Sequence, residues 1–235
     1  MSFLLVQADS FERHSGLLDE MFRLRARVFH EQLQWDVTVE DMKEIDRYDR
    51  MNPAYLLWTN EDRSVLYGSA RLMPTTGPTL LYDVFAETFP DGATLSAPGI
   101  WEATRLCIDE ARIAEDHPDL APNKALCRMF LASCEVALAH GIDTIVGNLD
   151  PLVLRIYRQH GAAIDEVGRS DAFGRRPVCC GVFAVTETVC GTMRDRLRLD
   201  APLYRGTEPG RARQRPRLVA GTNWRVKALR GKAAS

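Results

Sequence analysis

The chain has 235 residues, 46% of them hydrophobic and 26% charged, with a formal net charge of −2 at pH 7; these globular proportions exclude collagen-like, low-complexity and wholly disordered chains. Its apolar runs, such as residues 3–6 and 129–132, fall far short of the roughly 20 residues that cross a bilayer, so no membrane span is expected. Six cysteines are too few for a disulfide scaffold and form no C-x-x-C pair, and residues 1–9 have no basic start, so reduced buried thiols in a cytoplasmic protein are expected.

In chain order, residues 3–8 read as a short strand, turning at Asp9 or Ser10 into a helix over residues 15–34. Leu17, Met21, Leu24 and Val28 form one stripe of that helix. Leu18, Phe22, Arg25 and Phe29 form a second, with a cation one turn from aromatic rings on either side. A polar loop through Pro53 leads to a hairpin of residues 54–59 and 64–73, stopped by residues 74–78, after which residues 80–89 read as irregular. Residues 100–108 are the next strand and residues 123–140 a long helix closed by Gly141. A strand over residues 142–147, a helix over 152–160 ended by Gly161, a strand over 177–186 and a last helix to about Leu197 complete the body. The order predicts an α/β sandwich with a mixed sheet and helices on its faces.

Charge divides this chain unevenly. Residues 1–204 hold 21 basic and 31 acidic residues, whereas residues 205–235 hold nine basic residues and only Glu208. With its glycines and prolines the second segment reads as a flexible basic tail, either simply solvated or a contact for an acidic partner or nucleic acid.

The standard motifs are absent: no glycine fingerprint for nucleotides, no Gly-x-Ser-x-Gly and no His-Glu-x-x-His. The five histidines are scattered, so no metal site is expected, and the body has no basic stripe with interleaved aromatics for nucleic acid. What remains is Arg25, Phe29, Trp35, Asp46, Asp49, Arg71, Glu102 and Arg105. If they converge, carboxylates and guanidiniums over an aromatic floor suit a zwitterionic or cationic substrate with a heterocycle. Spacing alone leaves other readings open. Arg25 reads equally as a snorkelling side chain, Asp46 and Asp49 as a solvated acidic turn with Glu40, Asp41 and Glu44, Arg71 and Glu102 as a cross-strand ion pair, and Trp35 as core.

In order and spacing, Arg25-Ala26-Arg27-Val28-Phe29, Leu33-Gln34-Trp35-Asp36-Val37, Asp46-Arg47-Tyr48-Asp49, Ser69-Ala70-Arg71-Leu72 and Glu102-Ala103-Thr104-Arg105 resemble the acyl-homoserine-lactone synthase family of bacterial quorum sensing, over about residues 3–190. The resemblance implies a three-layer α/β/α sandwich similar to the GCN5-related N-acetyltransferases, with residues 1–204 as the synthase domain. It also implies a reaction. The amino group of S-adenosylmethionine attacks an acyl thioester on acyl carrier protein or coenzyme A, and the methionyl carboxylate then expels 5′-methylthioadenosine to close the lactone. S-adenosylmethionine is there a substrate, and no cofactor is implied.

Carried over residue by residue, Arg25, Phe29 and Trp35 bound the S-adenosylmethionine pocket, while Asp46, Asp49 and Arg71 hold its charged groups and each other. Glu102 is the general base, Arg105 orients the acyl chain or the catalytic strand, and Thr144 lies in the acyl tunnel. Glu102 and Arg105 differ by an odd number of positions, so either the strand bulges or only one of them faces the cleft. Two alternatives are an N-acetyltransferase using acetyl-CoA on an amine and a non-catalytic binding protein of the same fold. The first lacks its glycine loop at residues 120–126, and the second would be expected to have lost Glu102 or Arg71, yet both are present.

Overall fold

The computed structural model describes residues 1–89, 94–173 and 176–206. A seven-stranded sheet runs β1 (Ser2–Val6), β4 (Ala54–Thr59), β5 (Leu66–Pro74), β6 (Ile100–Ile108), β7 (Thr144–Leu149), β9 (Val178–Ala184) and β8 (Ile164–Ser170), and β2 (Val39–Glu40) with β3 (Lys43–Glu44) makes a separate two-stranded ribbon. Neighbours in the large sheet are antiparallel except β6 and β7. That parallel pair extends only from Ile100↔Thr144 to Glu102↔Val146, so the two strands part just beyond Glu102.

The helices cover both faces because alternate strand residues point to opposite sides. Tyr55 and Leu57 of β4 meet Leu18, Met21 and Leu24 of α1 (Ser15–Arg25) on one face. Leu56 and Trp58 meet Met129, Ala132 and Val136 of α4 (Pro122–Ala139) on the other. Phe130, Leu131 and Cys134 of α4 extend that second layer over Ile145 and Phe183, joined by Leu154 and Tyr157 of α5 (Pro151–Gln159) and Met193 of α6 (Glu187–Leu197). This is the expected α/β/α sandwich. Pro122 opens α4 at the position where its missing N–H costs nothing, and Gly141 follows it at φ +74°, as its sequence position implied.

Five features depart from expectation. The first helix is α-helical only to Arg25 and then widens into a π-helix over Ala26–Gln32. The short helix α3 (Glu110–Asp116) and the edge strand β8 were not foreseen. With one neighbouring strand and the sequence Ile-Asp-Glu-Val-Gly-Arg-Ser, β8 carries too few apolar residues to announce itself. The ribbon β2–β3 was read as part of a polar loop, and α2 (Leu80–Asp83) fell inside the stretch read as irregular.

All six cysteines are buried and free, and among the described residues no helix is long and apolar enough to cross a membrane. The body closes where Glu135 of α4 accepts the backbone N–H groups of Leu203 (2.7 Å) and Tyr204 (2.9 Å) on one oxygen and Arg194 of α6 (2.8 Å) on the other. Of the basic segment expected to form a flexible tail, residues 207–235 lie outside the described residues.

Gly161 ends α5 at φ +94°, and a Cβ there would lie 2.9 Å from Thr192 Cγ2 of α6. Replacing it with alanine adds left-handed strain to a steric overlap, so Gly161→Ala is expected to lower stability by about 1–3 kcal/mol in urea unfolding.

Candidate active site

Six charged side chains close into a ring on the α1 face of the sheet. Arg25, the last residue of α1, donates Nε to Glu44 (2.5 Å) and both terminal nitrogens to Asp49 (2.9 Å each). Asp49 accepts Arg71 Nη1 (2.9 Å), and Arg71 forks onto both oxygens of Asp46 (2.5 and 2.9 Å). Asp46 faces Arg105 (3.1 Å), which returns through Nε and Nη2 to Glu44 (3.1 and 3.0 Å). Cations and anions alternate around the circuit, three of each. Arg25, Glu44, Asp49 and Arg71 are almost wholly buried, while the Asp46 and Arg105 side chains keep 18% and 11% of their surface exposed. Asp46 and Arg105 are therefore the members that can reach a ligand.

Local sequence places each member. Asp46 caps the 3₁₀ turn Arg47–Arg50, accepting from the N–H groups of Tyr48 and Asp49, while Asp49 accepts from the Asp46 N–H in return. The three-residue spacing brings both carboxylates to Arg71, which rules out the solvated-turn reading. Arg71 also donates Nε to Thr104 (3.0 Å) across the β5–β6 pair. Its partners are not Glu102, which lies opposite Met73, so the proposed cross-strand ion pair is absent.

The odd spacing of Glu102 and Arg105 is resolved by a β-bulge. Register shifts between Ser69 and Arg71, and Arg105 sits at φ +52°, so Thr104 and Arg105 both reach the α1 face. The aromatic floor is formed as well. Phe29, from the π-helix, stacks on Trp35 with ring centroids 5.2 Å apart and lies under the Arg105 guanidinium at 5.5 Å. Trp35 is 41% exposed, hence not core, and Arg25 is buried among Phe22, Glu44 and Asp49 rather than snorkelling.

The ring fixes charge. Burial opposes ionisation of Asp49, but hydrogen bonds and charge from Arg25, with the charge of Arg71, hold its carboxyl well below the ordinary carboxylate range. Burial likewise opposes the charge on Arg25, and Asp49 and Glu44 overcome it. Tyr55 donates to Asp49 Oδ1 (2.8 Å) from beneath, its hydroxyl pushed far up by burial and then by Asp49.

Glu102 differs. It is the last residue of β6 to pair with β7, 1% exposed, and accepts the Leu80 and Leu81 N–H groups (3.1 and 2.7 Å). Burial raises its pKa to about 7, with the Leu81 N–H and the charge of Arg71 pulling the other way. The structure thus brings together Arg25, Phe29, Trp35, Asp46, Asp49, Arg71 and Arg105, with Glu102 beside them. Thr144 stands apart at the start of β7, donating to Asp143 (2.8 Å).

Sequence reasoning missed Glu44 as a site residue, having grouped it with a solvated acidic turn. Glu44 lies 19 residues from Arg25 and 61 from Arg105 along the chain, so no local pattern marked it.

Glu102 and the six residues of the ring all lie within the stretch that resembles known proteins. Residues 9–191 match the family model described as autoinducer synthase. The chain belongs to that family. It is 35% identical over 198 residues to the acyl-homoserine-lactone synthase of Rhizobium etli, covering 82% of this chain and 89% of that protein. The crystal structure of the AHL synthase LasI superposes with a TM-score of 0.69 at 26% identity, over 83% of this chain and 93% of that one. TofI, in a ternary complex with an inhibitor and MTA, gives 0.66 at 28% identity, over 85% and 98%. An N-acetyltransferase fold from Lactobacillus plantarum, at 0.51 and 15% identity, over 79% of this chain and all of that one, shares the architecture alone. The chain is accordingly an acyltransferase that makes acyl-homoserine lactone.

Removing one anion from the ring leaves a buried guanidinium unbalanced. Glu44→Gln is expected to lower stability by about 3–5 kcal/mol at pH 7 in chemical denaturation. Because Asp49 is held below its ordinary value of 3.8, its stabilising contribution is complete above that pH and is lost as pH falls below about 4, which acid unfolding of the wild-type chain will register.

Proposed function

We propose that this enzyme acylates the amino group of S-adenosylmethionine from a thioester on acyl carrier protein or coenzyme A and then closes the homoserine lactone, with Glu102 as the base. The carrying observation is a desolvated carboxylate with a pKa of about 7 beside a charge-neutral ring that has two partly exposed members.

The substrate amine arrives as an ammonium and must lose a proton before its lone pair attacks. At neutral pH Glu102 is partly ionised and takes that proton directly or through a water. The amine then bonds to the thioester carbon, the tetrahedral intermediate collapses, the thiolate leaves with the proton Glu102 had taken, and Glu102 receives the second amine proton as the amide forms and releases it to solvent. In the second step the methionyl carboxylate attacks its own γ-carbon, the C–S bond breaks, and its electron pair neutralises the sulfonium as 5′-methylthioadenosine departs. S-adenosylmethionine is consumed, as a substrate.

Within the ring, Asp46 offers an acceptor for the ammonium and Arg105 a fork for the carboxylate. The Phe29–Trp35 stack gives the adenine a face and the sulfonium a π-surface. Arg25, Arg71 and Asp49 are spent on one another and act by holding Asp46 and Arg105 in place. Thr144, on the same side of β7 as Val146, borders the acyl chain. In this reading residues 1–204 form the synthase domain, residues 205–235 a basic extension, and the reaction runs in the cytoplasm, where both substrates are made. The MTA held by TofI supports the adenosyl assignment. The acetyltransferase alternative finds no glycine-rich cradle before α4, which begins Pro122-Asn123 after Ala121.

Incubation with S-adenosylmethionine and a panel of acyl thioesters is expected to yield 5′-methylthioadenosine and acyl-homoserine lactone together by mass spectrometry. Acetylated amines in their place would contradict the reading. Glu102→Gln is expected to cut kcat by about 10²- to 10⁴-fold. Since the base acts ionised, the wild-type rate should rise with pH through about 7, and a pH–rate profile flat across that range would remove Glu102 from the role.

A further inference from the structure

Asn148 lies on β7 two residues beyond Val146, the register partner of Glu102, where β6 and β7 have ceased to pair. Strand alternation puts it on the same face as Val146. Its Nδ2 donates to Thr88 Oγ1 (2.6 Å), and the Thr88 hydroxyl gives its own proton to the Phe85 carbonyl (2.7 Å). Thr88 can therefore only accept from Asn148, which fixes the amide's orientation and leaves Oδ1 as the surplus group. That oxygen is shut off from solvent and has no hydrogen-bond partner.

The other unpartnered buried polar side-chain atoms among the described residues lie elsewhere. Trp58 and Tyr204 belong to the α4 layer, Arg128 is on α4 itself, and His117 ends α3 against Tyr67. Only Asn148 shares a face with the base. Between the two lies an apolar cluster of Leu81, Leu95, Val146 and Cys180, in which Leu81 donates its N–H to Glu102 and Cys180 is the β9 register partner of Asn148. An acceptor at the end of an apolar path, about two strand residues or roughly 7 Å from the level of the base, calls for a donor on a mostly apolar ligand.

We propose that Asn148 is a specificity-determining contact for the acyl thioester, its Oδ1 accepting a hydrogen bond from an O–H or N–H of that substrate. Two groups on the thioester supply this chemistry at that reach, a hydroxyl on the third carbon of the acyl chain and the first amide of the carrier arm. The inference rests on the lactone-synthase reading and adds to it the residue that selects the acyl donor.

The test uses the full chain, S-adenosylmethionine and three donors of equal chain length, unsubstituted, 3-hydroxy and 3-oxo, each on coenzyme A and on acyl carrier protein. Asn148→Leu, or the smaller Asn148→Ala if leucine is not accommodated, is expected to raise KM for the acyl donor about 3- to 10-fold. The KM for S-adenosylmethionine and the Tm should stay near wild type. Thr88→Val removes the Nδ2 partner but keeps Oδ1, and should leave donor KM unchanged. A rise confined to the 3-hydroxy donor identifies the hydroxyl, and an equal rise for all three identifies the arm amide. Unchanged KM for every donor, or the same rise in Thr88→Val, overturns the proposal. Wild-type protein that forms no lactone from any donor fails the enzymatic reading instead.

Discussion

Three guanidiniums and three carboxylates, alternating and closed on themselves, are the constraint around which the α1 side of this molecule is arranged. Each ion alone would cost several kcal/mol to bury. Closed into a circuit, every one faces two opposite charges and the sum is zero. The circuit draws on α1, the ribbon β2–β3, the turn after it, β5 and β6. The loop-rich stretch from residue 26 to residue 52 thus lies against the sheet by electrostatics as much as by apolar contact. The local irregularities serve the same closure. The π-helix after Arg25 carries Phe29 beneath Arg105, and the left-handed residue in β6 turns Arg105 toward Glu44.

Glu102 stands outside the circuit, and the contrast between the two kinds of carboxylate divides the labour. Asp49 lies between two guanidiniums and stays ionised, so it can only position. Glu102 has backbone N–H groups in place of a bidentate cation, and burial brings it to where a proton can be taken and returned near neutrality. Both environments come from neighbouring residues of one face, and β6 and β7 part just past Glu102.

Much of this was legible in the residues. The long helix over α4 followed from its apolar spacing and Gly141, and the hairpin of β4 and β5 from two strongly apolar runs around a polar turn. The candidate side chains were legible as types and spacings, and the ring contains five of them, Arg25, Asp46, Asp49, Arg71 and Arg105. Glu44 was not legible, because a carboxylate buried by two distant arginines looks, in a local window, like any acid in a polar loop. The bulge at Arg105 was visible only as a parity conflict, since its cause is the register of β5 against β6. Strand β8 escaped because an edge strand needs little apolar character.

If the ring builds the binding site while Glu102 carries the proton, calorimetry of S-adenosylmethionine binding to two variants will separate the two roles. Glu102→Gln is expected to bind S-adenosylmethionine with near wild-type affinity, and Glu44→Gln, assayed under conditions where it remains folded, at least about tenfold more weakly. Equal loss of affinity in both variants, or wild-type affinity in Glu44→Gln, would contradict that division between frame and base.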